Sequence, residues 1–270
     1  MKDLLLAAVR DEPDALRKRN RAREFLQARI LLSLQDRGAF SNWAFVGGTA
    51  LRFLYDLPRY SEDLDFSLRT PGDEVRFTPI LRAVVSDLDA EAYEVEARIR
   101  EKRTVSTAMV KFRGLLYELG ISPHRDEAFA VRVEIDANPP AGAGFSTRLV
   151  RKHYLLNLMQ YDRASLLAGK LHAVLAREYT KGRDLYDLMW YLSAPAWPEP
   201  NVVLLNNALQ QTGWDDDELT DETWRHVVSN HLRSVDWKRA KDDLAPFLER
   251  SRELAFIESK TFENLLSESQ

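Results

Sequence analysis

The chain has 270 residues, a formal net charge of −4 and no cysteine. That length supports one large or two modest domains with real cores. The missing cysteine excludes disulfides, thiol catalysis and Cys-based zinc sites, and the acidic balance excludes a generally basic nucleic-acid coat. With no N-terminal apolar segment of signal-peptide type and no apolar run long enough to span a bilayer, a cytoplasmic protein without membrane association is expected.

Pro13 at a first helical position opens a helical segment over residues 13–37, which stops at Gly38 and buries Phe25, Leu26, Ile30 and Leu34 on one side. Residues 16–29 concentrate Arg17, Lys18, Arg19, Arg21, Arg23 and Arg29 against one acid, Glu24. This run reads as an RNA contact and, as readily, as a solvated basic face or a surface for a partner protein.

Residues 43–46 form a short apolar run that ends on Gly47 and Gly48, and residues 49–57 read as a short helix stopped by Pro58. Such a strand-to-helix turn leaves backbone N–H groups at a helix start, where they and the helix dipole suit a phosphate, and Thr49 adds a hydroxyl. Then Leu64, Phe66 and Leu68 alternate with Asp63, Asp65 and Ser67, the period of a half-buried strand with both aspartates on one face. Equivalent atoms two residues apart on a strand are roughly 7 Å apart. The carboxylates therefore suit a pair of divalent cations about 3.5–4 Å apart, as in phosphoryl transfer. Oxygen-only ligands favour Mg²⁺ or Mn²⁺. A lone Gly-Gly is usually only a turn and a lone Asp-x-Asp usually a solvated loop or cap. Here the two are separated by a helix signal and a strand start.

Residues 77–90 read as a helix, 93–100 as a strand open to water on one face and 105–116 as a further strand. Across residues 129–136, Phe129, Val131, Val133 and Ile135 alternate with Arg132, Glu134 and Asp136, so a third catalytic-type carboxylate is available, or else the charged outer face of an edge strand. The Pro- and Gly-rich run 139–144 is a loop near the end of the sheet-containing part.

From Asp162, a capping residue, the chain turns helical. Residues 162–178 carry the stripe Leu166, Leu167, Leu171, Val174 and Leu175, with Lys170 and Arg177 together along one edge and His172 pointing away. The two cations read as aimed and partly buried, or as stems snorkelling at a core rim. In the next helix Asp184 sits near the edge of the stripe Leu185, Leu188, Met189 and Leu192, whereas Asp187 lies farther round toward solvent. After the proline-rich connection 195–200, three helices are expected over 202–211, 221–233 and 237–260. The acidic run 215–218 is a solvated loop.

Gly47-Gly48-Thr49 followed by Asp63-Leu64-Asp65-Phe66 resembles the glycine and Asp-x-Asp motifs of DNA polymerase β-like nucleotidyltransferases. The fuller wording from Gly47 to Leu68 resembles the AbiEii/AbiGii group, toxins of type IV toxin–antitoxin and abortive-infection systems that include the mycobacterial MenT toxins. Lys170 with Arg177, and Arg183-Asp184-Leu185-Tyr186-Asp187-Leu188, resemble that group's downstream lysine and aspartate motifs.

The resemblance implies an α+β fold: a polymerase β-like mixed sheet with flanking helices in residues 1–150, then a helical part, 151–270, that contributes Lys170 and Asp184 to the site. It implies an NTP substrate bound at Gly47, Gly48, Thr49, Ser61, Lys170 and Arg177, and catalysis by Asp63, Asp65, Lys170 and Asp184. It also implies metal held by Asp63, Asp65 and Asp136, with Glu134 as the alternative third ligand. The acceptor it implies is a tRNA 3′ end, in some cases a protein hydroxyl, with translation blocked and a cognate antitoxin as partner. In some relatives a serine placed like Ser61 is phosphorylated by a kinase-like antitoxin. The rival readings are an antibiotic-type small-molecule nucleotidyltransferase and an inactive nucleotide-binding module.

Overall fold

The protein is described here by a computed structural model covering residues 2–267. The chain divides into two compact units. One gathers the chain up to Asp56 with Tyr60–Pro139 and Thr147–Gln160; the other gathers Leu57–Arg59, Pro140–Ser146 and the chain from Tyr161 onward.

The first unit opens with α1 (Lys2–Val9), which sequence periodicity did not announce, and the long α2 (Ala15–Asp36). Asp14, not Pro13, sets the start of α2, because its carboxylate accepts the Arg17 amide at 2.7 Å. The helix ends where Gly38 turns left-handed at φ 72°. Phe25, Leu26, Ile30 and Leu34 are all buried.

There follow β1 (Trp43–Val46), α3 (Gly47–Tyr55), β2 (Leu64–Leu68), α4 (Phe77–Ala90), β3 (Val95–Arg100), β4 (Val105–Phe112), the short α5 (Leu115–Glu118), β5 (Phe129–Asp136), β6 (Phe145–Lys152) and β7 (Tyr154–Tyr161). The strands form one mixed sheet in the order β3-β4-β5-β2-β1-β7-β6. β1 lies antiparallel to β2 and parallel to β7, and β2 lies parallel to β5. The expected strand over 105–116 stops at Phe112, since Gly114 takes φ 65° and the chain coils into α5.

The core beneath the site is aromatic. Phe45 stacks on Phe66 at 5.3 Å between ring centres, and Trp43 stacks on Phe77 at 5.7 Å. These contacts fix β1 and β2, the strands that carry the glycine turn and the aspartates.

The boundary expected at 150/151 falls inside β6. The loop at 139–144 looked like the end of the sheet, but a hairpin of two more strands follows it. β6 escaped notice because it is an edge strand exposed on both faces and therefore lacks a clean alternation.

The helical unit comprises α6 (Arg163–Leu175), α7 (Gly182–Leu192), α8 (Val202–Gln211), α9 (Trp224–Leu232), α10 (Trp237–Leu244) and α11 (Ser259–Ser267). Asp162 caps α6 by accepting the Ser165 amide at 2.8 Å. The single helix expected over 237–260 breaks after Leu244, where Pro246 enters a 3-10 turn. α7 starts tight against α10: a Cβ on Gly182 would lie 1.8 Å from the Ala240 carbonyl oxygen, so only glycine fits there. A mixed sheet with flanking helices followed by a helical C-terminal part is thus the architecture observed. No helix among the described residues is long and apolar enough to cross a membrane.

Candidate active site

In the sheet unit the turn after β1 is built from the two glycines. α3 begins at Gly47 itself, two residues earlier than the sequence pattern suggests, and no side chain caps its start. Its first backbone N–H groups are therefore oriented along a helix start as an anion would require. Gly47 has φ 76°, and a Cβ there would stand 2.8 Å from Asp65 Oδ2, so the Asp65 carboxylate lies directly over the turn.

The strand register explains that approach, because Val46, the last residue of β1, is the antiparallel partner of Asp65. Asp63 immediately precedes β2, and both aspartates are half-buried. Thr49 is buried, and its hydroxyl donates to the Asp63 carbonyl oxygen. The hydroxyl expected to face a phosphate thus ties the first turn of α3 to the start of β2. Ser61 lies in the extended segment before β2, where its carbonyl accepts Gln27 Nε2 at 3.1 Å. Arg23 pairs with Glu62 in the same segment at 3.3 Å, so α2 holds the approach to the aspartates in place.

For a third carboxylate, register separates the two expected positions. Glu134 is the parallel partner of Asp65, and Asp136 that of Ser67. Neighbouring strands lie about 4.8 Å apart, so Glu134 flanks Asp65 directly while Asp136 sits one strand repeat farther on. The Glu134 side chain pairs with Arg132. Asp136 accepts the Asn138 amide at 2.9 Å, and burial pushes its pKa up against that hydrogen bond. Among the described residues no group of three or more His, Cys, Asp or Glu converges as a ready cation cage. Even so, the all-oxygen donors of Asp63, Asp65 and Glu134 match the chemistry of a hard divalent ion.

In the helical unit Lys170, Asp184, Asp187, Arg177 and Arg59 form one ionic network. Lys170 Nζ lies 2.7 Å from Asp184 Oδ1 and 2.7 Å from Asp187 Oδ2. Arg59 grips Asp187 with both prongs, Nε to Oδ1 and Nη2 to Oδ2, each at 2.6 Å. Arg177 closes on the other oxygen of Asp184.

Burial works against the charge of Lys170, but Asp184 and Asp187 outweigh it and hold its pKa above the ordinary lysine value. Burial likewise opposes ionisation of Asp184, and Lys170 and Arg177 reverse that effect and lower its pKa. Lys170 is 9% exposed at its side chain and Arg177 43%, so Arg177 is the network's wet end.

Asp187 corrects the reading that placed it toward solvent. It is 0% exposed, because α7 is covered on that side too, and Arg59 supplies the charge that its helical periodicity could not reveal. His172 is likewise not turned to solvent; its Nε2 lies 3.1 Å from the Thr212 hydroxyl, and burial and Arg177 lower its pKa.

The basic run of α2 is largely neutralised. Arg19 meets Glu127 at 3.1 Å, Arg21 meets Glu12 at 3.5 Å, and Arg29 meets Glu91 at 2.5 Å, in addition to the Arg23–Glu62 pair. Four of the six cations of the run thus meet an acid, three of them one distant in sequence.

A glycine turn overhung by a carboxylate, with a second acid just before the neighbouring strand, is an arrangement suited to a phosphate and a hard cation. Residues 29–268 match the family model described as nucleotidyl transferase AbiEii toxin, type IV TA system, and the chain belongs to that family of nucleotidyltransferase toxins. The family implies an NTP substrate and an antitoxin partner.

Two crystal structures from Helicobacter pylori are similar. One is JHP933, 18% identical, TM-score 0.47, covering 90% of this chain and 90% of that one. The other is a candidate nucleotidyltransferase, 18% identical, TM-score 0.48, covering 89% of this chain and 92% of that one. No curated protein matches the chain.

Proposed function

We propose that the protein transfers a nucleoside monophosphate from an NTP to a hydroxyl at the 3′ end of tRNA, so blocking translation in the cytoplasm. The observation that carries the transfer reading is the seating of the Asp65 carboxyl group over Gly47, which brings an acid onto a turn suited to a phosphate. The acceptor comes from the family resemblance.

In this reading the N–H groups at the start of α3 receive the triphosphate. Thr49 acts as a positioning residue, holding Asp63 in step with that turn through its carbonyl. Asp63 and Asp65 would hold Mg²⁺ or Mn²⁺, with Glu134, the register neighbour of Asp65, favoured over Asp136 as the third ligand. A bound divalent ion supplies charge neutralisation on phosphate oxygens.

The acceptor oxygen forms a new bond to the α-phosphorus, the bond to the β-phosphate oxygen breaks, pyrophosphate leaves, and the acceptor proton passes to a base. Lys170, Arg177 and Asp184 belong to the proposal through the resemblance. Arg177, the exposed cation, suits triphosphate charge, and Asp184 orients Lys170 through their 2.7 Å bond. Ser61, in the segment leading to Asp63, is the position at which a phosphate from an antitoxin kinase would repel the triphosphate.

The test incubates the protein with each of four labelled NTPs, Mg²⁺ and total tRNA, followed by a gel. Label on tRNA is the expected result and also identifies the base. Label on protein alone would move the acceptor to protein hydroxyls, and no label on either would overturn the transfer reading.

A further inference from the structure

The cations of α2 that could have met a nucleic acid are mostly engaged by acids, yet one stretch of the sheet unit has the opposite character. From residue 137 to residue 161 the chain has no Asp or Glu, although it carries Arg148, Arg151, Lys152 and His153 and the chain as a whole is net negative. These residues sit on β6, the outermost strand of the sheet, and at its turn into β7.

Arg148 and Arg151 are exposed, and among the described residues neither has a carboxylate within ion-pair distance. Arg148 is nevertheless held in place. Its guanidinium lies 4.6 Å from the centre of the Tyr55 ring, and the Tyr55 hydroxyl accepts Gln160 Nε2 at 2.9 Å. An arginine held over an aromatic ring loses less freedom on meeting a phosphate than an unsupported one. Lys152 is fixed similarly, donating to the Arg52 carbonyl at 3.1 Å.

The spacing is informative. Tyr55 is the last residue of α3 and Gly47 the first, so eight steps along the helix put Arg148's platform roughly 12 Å from the glycine turn. A polynucleotide with its reacting end at the turn would have backbone phosphates at that distance. We infer that Arg148 on one face of the edge strand β6, with Arg151 on its other face, grips the phosphodiester backbone of the nucleic-acid acceptor behind its reacting end. This rests on the reading that the acceptor is a nucleic acid. Lys152 is answered by Asp56 at 3.5 Å and Glu24 at 4.0 Å, but among the described residues no acid answers Arg148 or Arg151, and phosphate is a partner that would. The alternative occupant, an acidic protein segment added along the β6 edge, is an outcome of the test.

The experiment measures binding of labelled total tRNA by anisotropy from low to moderate salt, in parallel with NTP-dependent labelling. It uses the wild type, Arg148→Gln/Arg151→Gln, and Arg19→Gln/Arg21→Gln in α2 as a control. Arg148, Arg151 and Arg21 are exposed and Arg19 is half-buried, and thermal melting checks that each variant is folded. Each lost phosphate contact lowers the slope of log K against log salt by about 0.7–0.9. The β6 variant should therefore lose about 1.5 units of slope and bind several-fold more weakly near physiological salt, with KM for the NTP unchanged, while the α2 variant stays close to wild type. A wild-type slope in the β6 variant, with tRNA still labelled, would overturn the inference and leave the transfer reading standing. If the wild type neither binds nor labels tRNA, the nucleic-acid acceptor fails, and β6 becomes available to an acidic partner.

Discussion

Asp65 overhangs Gly47 so closely that a Cβ on the glycine would lie 2.8 Å from the aspartate's Oδ2. The same glycine has φ 76°, a conformation L residues rarely adopt. Gly47→Ala therefore meets two penalties, one steric and one conformational, and should cost about 1–3 kcal/mol of stability. It should also displace the carboxylate and suppress transfer by far more than the stability loss explains. Urea unfolding beside labelled transfer separates the two effects. Near-normal turnover in a folded Gly47→Ala protein would mean that the turn does not receive the phosphates.

Asp63→Asn and Asp65→Asn keep side-chain volume and remove charge. Both positions are half-buried at the rim of the core, so melting temperature should stay within a few degrees while nucleotide transfer falls to background. Either variant turning over normally with Mg²⁺ would refute the metal-ligand assignment.

What could be read from sequence, and what could not, follows from the range of the interactions. β1, β2, α4 and β5 were legible because alternation or a 3.6 period is written in consecutive residues, and Asp63 and Asp65 stood out by their spacing from Gly47. Asp187 was misjudged because its partner, Arg59, lies 128 residues away, and helical periodicity knows nothing of a cation brought in from another segment. The pairing of the α2 cations was hidden for the same reason: Glu62, Glu91 and Glu127 reach them only after folding. Gly182 was a missed signal, since its need to be glycine comes from the Ala240 carbonyl.

The Arg59–Asp187 pair makes a stability prediction. Asp187→Ala leaves Arg59 buried without its bidentate partner and should destabilise by about 3–5 kcal/mol. The double variant Arg59→Met/Asp187→Leu removes both charges at similar volume and should recover most of that loss. Chemical denaturation of the three proteins tests this, and a double variant no better than the single would argue that packing, not charge, dominates. Lys170→Met takes one of two cations from each of Asp184 and Asp187, which keep Arg177 and Arg59, so its activity must be read beside its stability. Lys170→Arg is the milder probe.

Glu24 supplies a pH prediction. Burial opposes its ionisation, but His153, Arg52 and Lys152 outweigh burial and hold its pKa at about 2 against an ordinary 4.5. A carboxylate depressed on folding contributes stability that is fully present above pH 4.5 and is lost as pH falls toward 2, here about 3 kcal/mol at 1.36 kcal/mol per unit. Glu24→Gln should therefore be less stable than wild type at neutral pH, and the gap should close between pH 4.5 and 2. A gap that stays constant with pH would show that the Arg52 contact matters through shape alone.

Two acids on β5 compete for the place of third metal ligand. Glu134 is the register partner of Asp65, and Asp136 the partner of Ser67. If a cation is shared across the β2–β5 pair, it is shared with the acid directly beside Asp65. Burial also raises the pKa of Asp136, which opposes its ionisation. Glu134→Gln should therefore raise the Mg²⁺ concentration needed for half-maximal transfer by an order of magnitude or more, while Asp136→Asn should leave that requirement nearly unchanged. The Glu134 carboxylate currently engages Arg132, so Arg132→Gln should free it and shift the requirement the other way, toward lower Mg²⁺. The three Mg²⁺ titrations together are decisive: the opposite ranking, with Asp136→Asn the sensitive variant and Arg132→Gln silent, would assign the third ligand to Asp136.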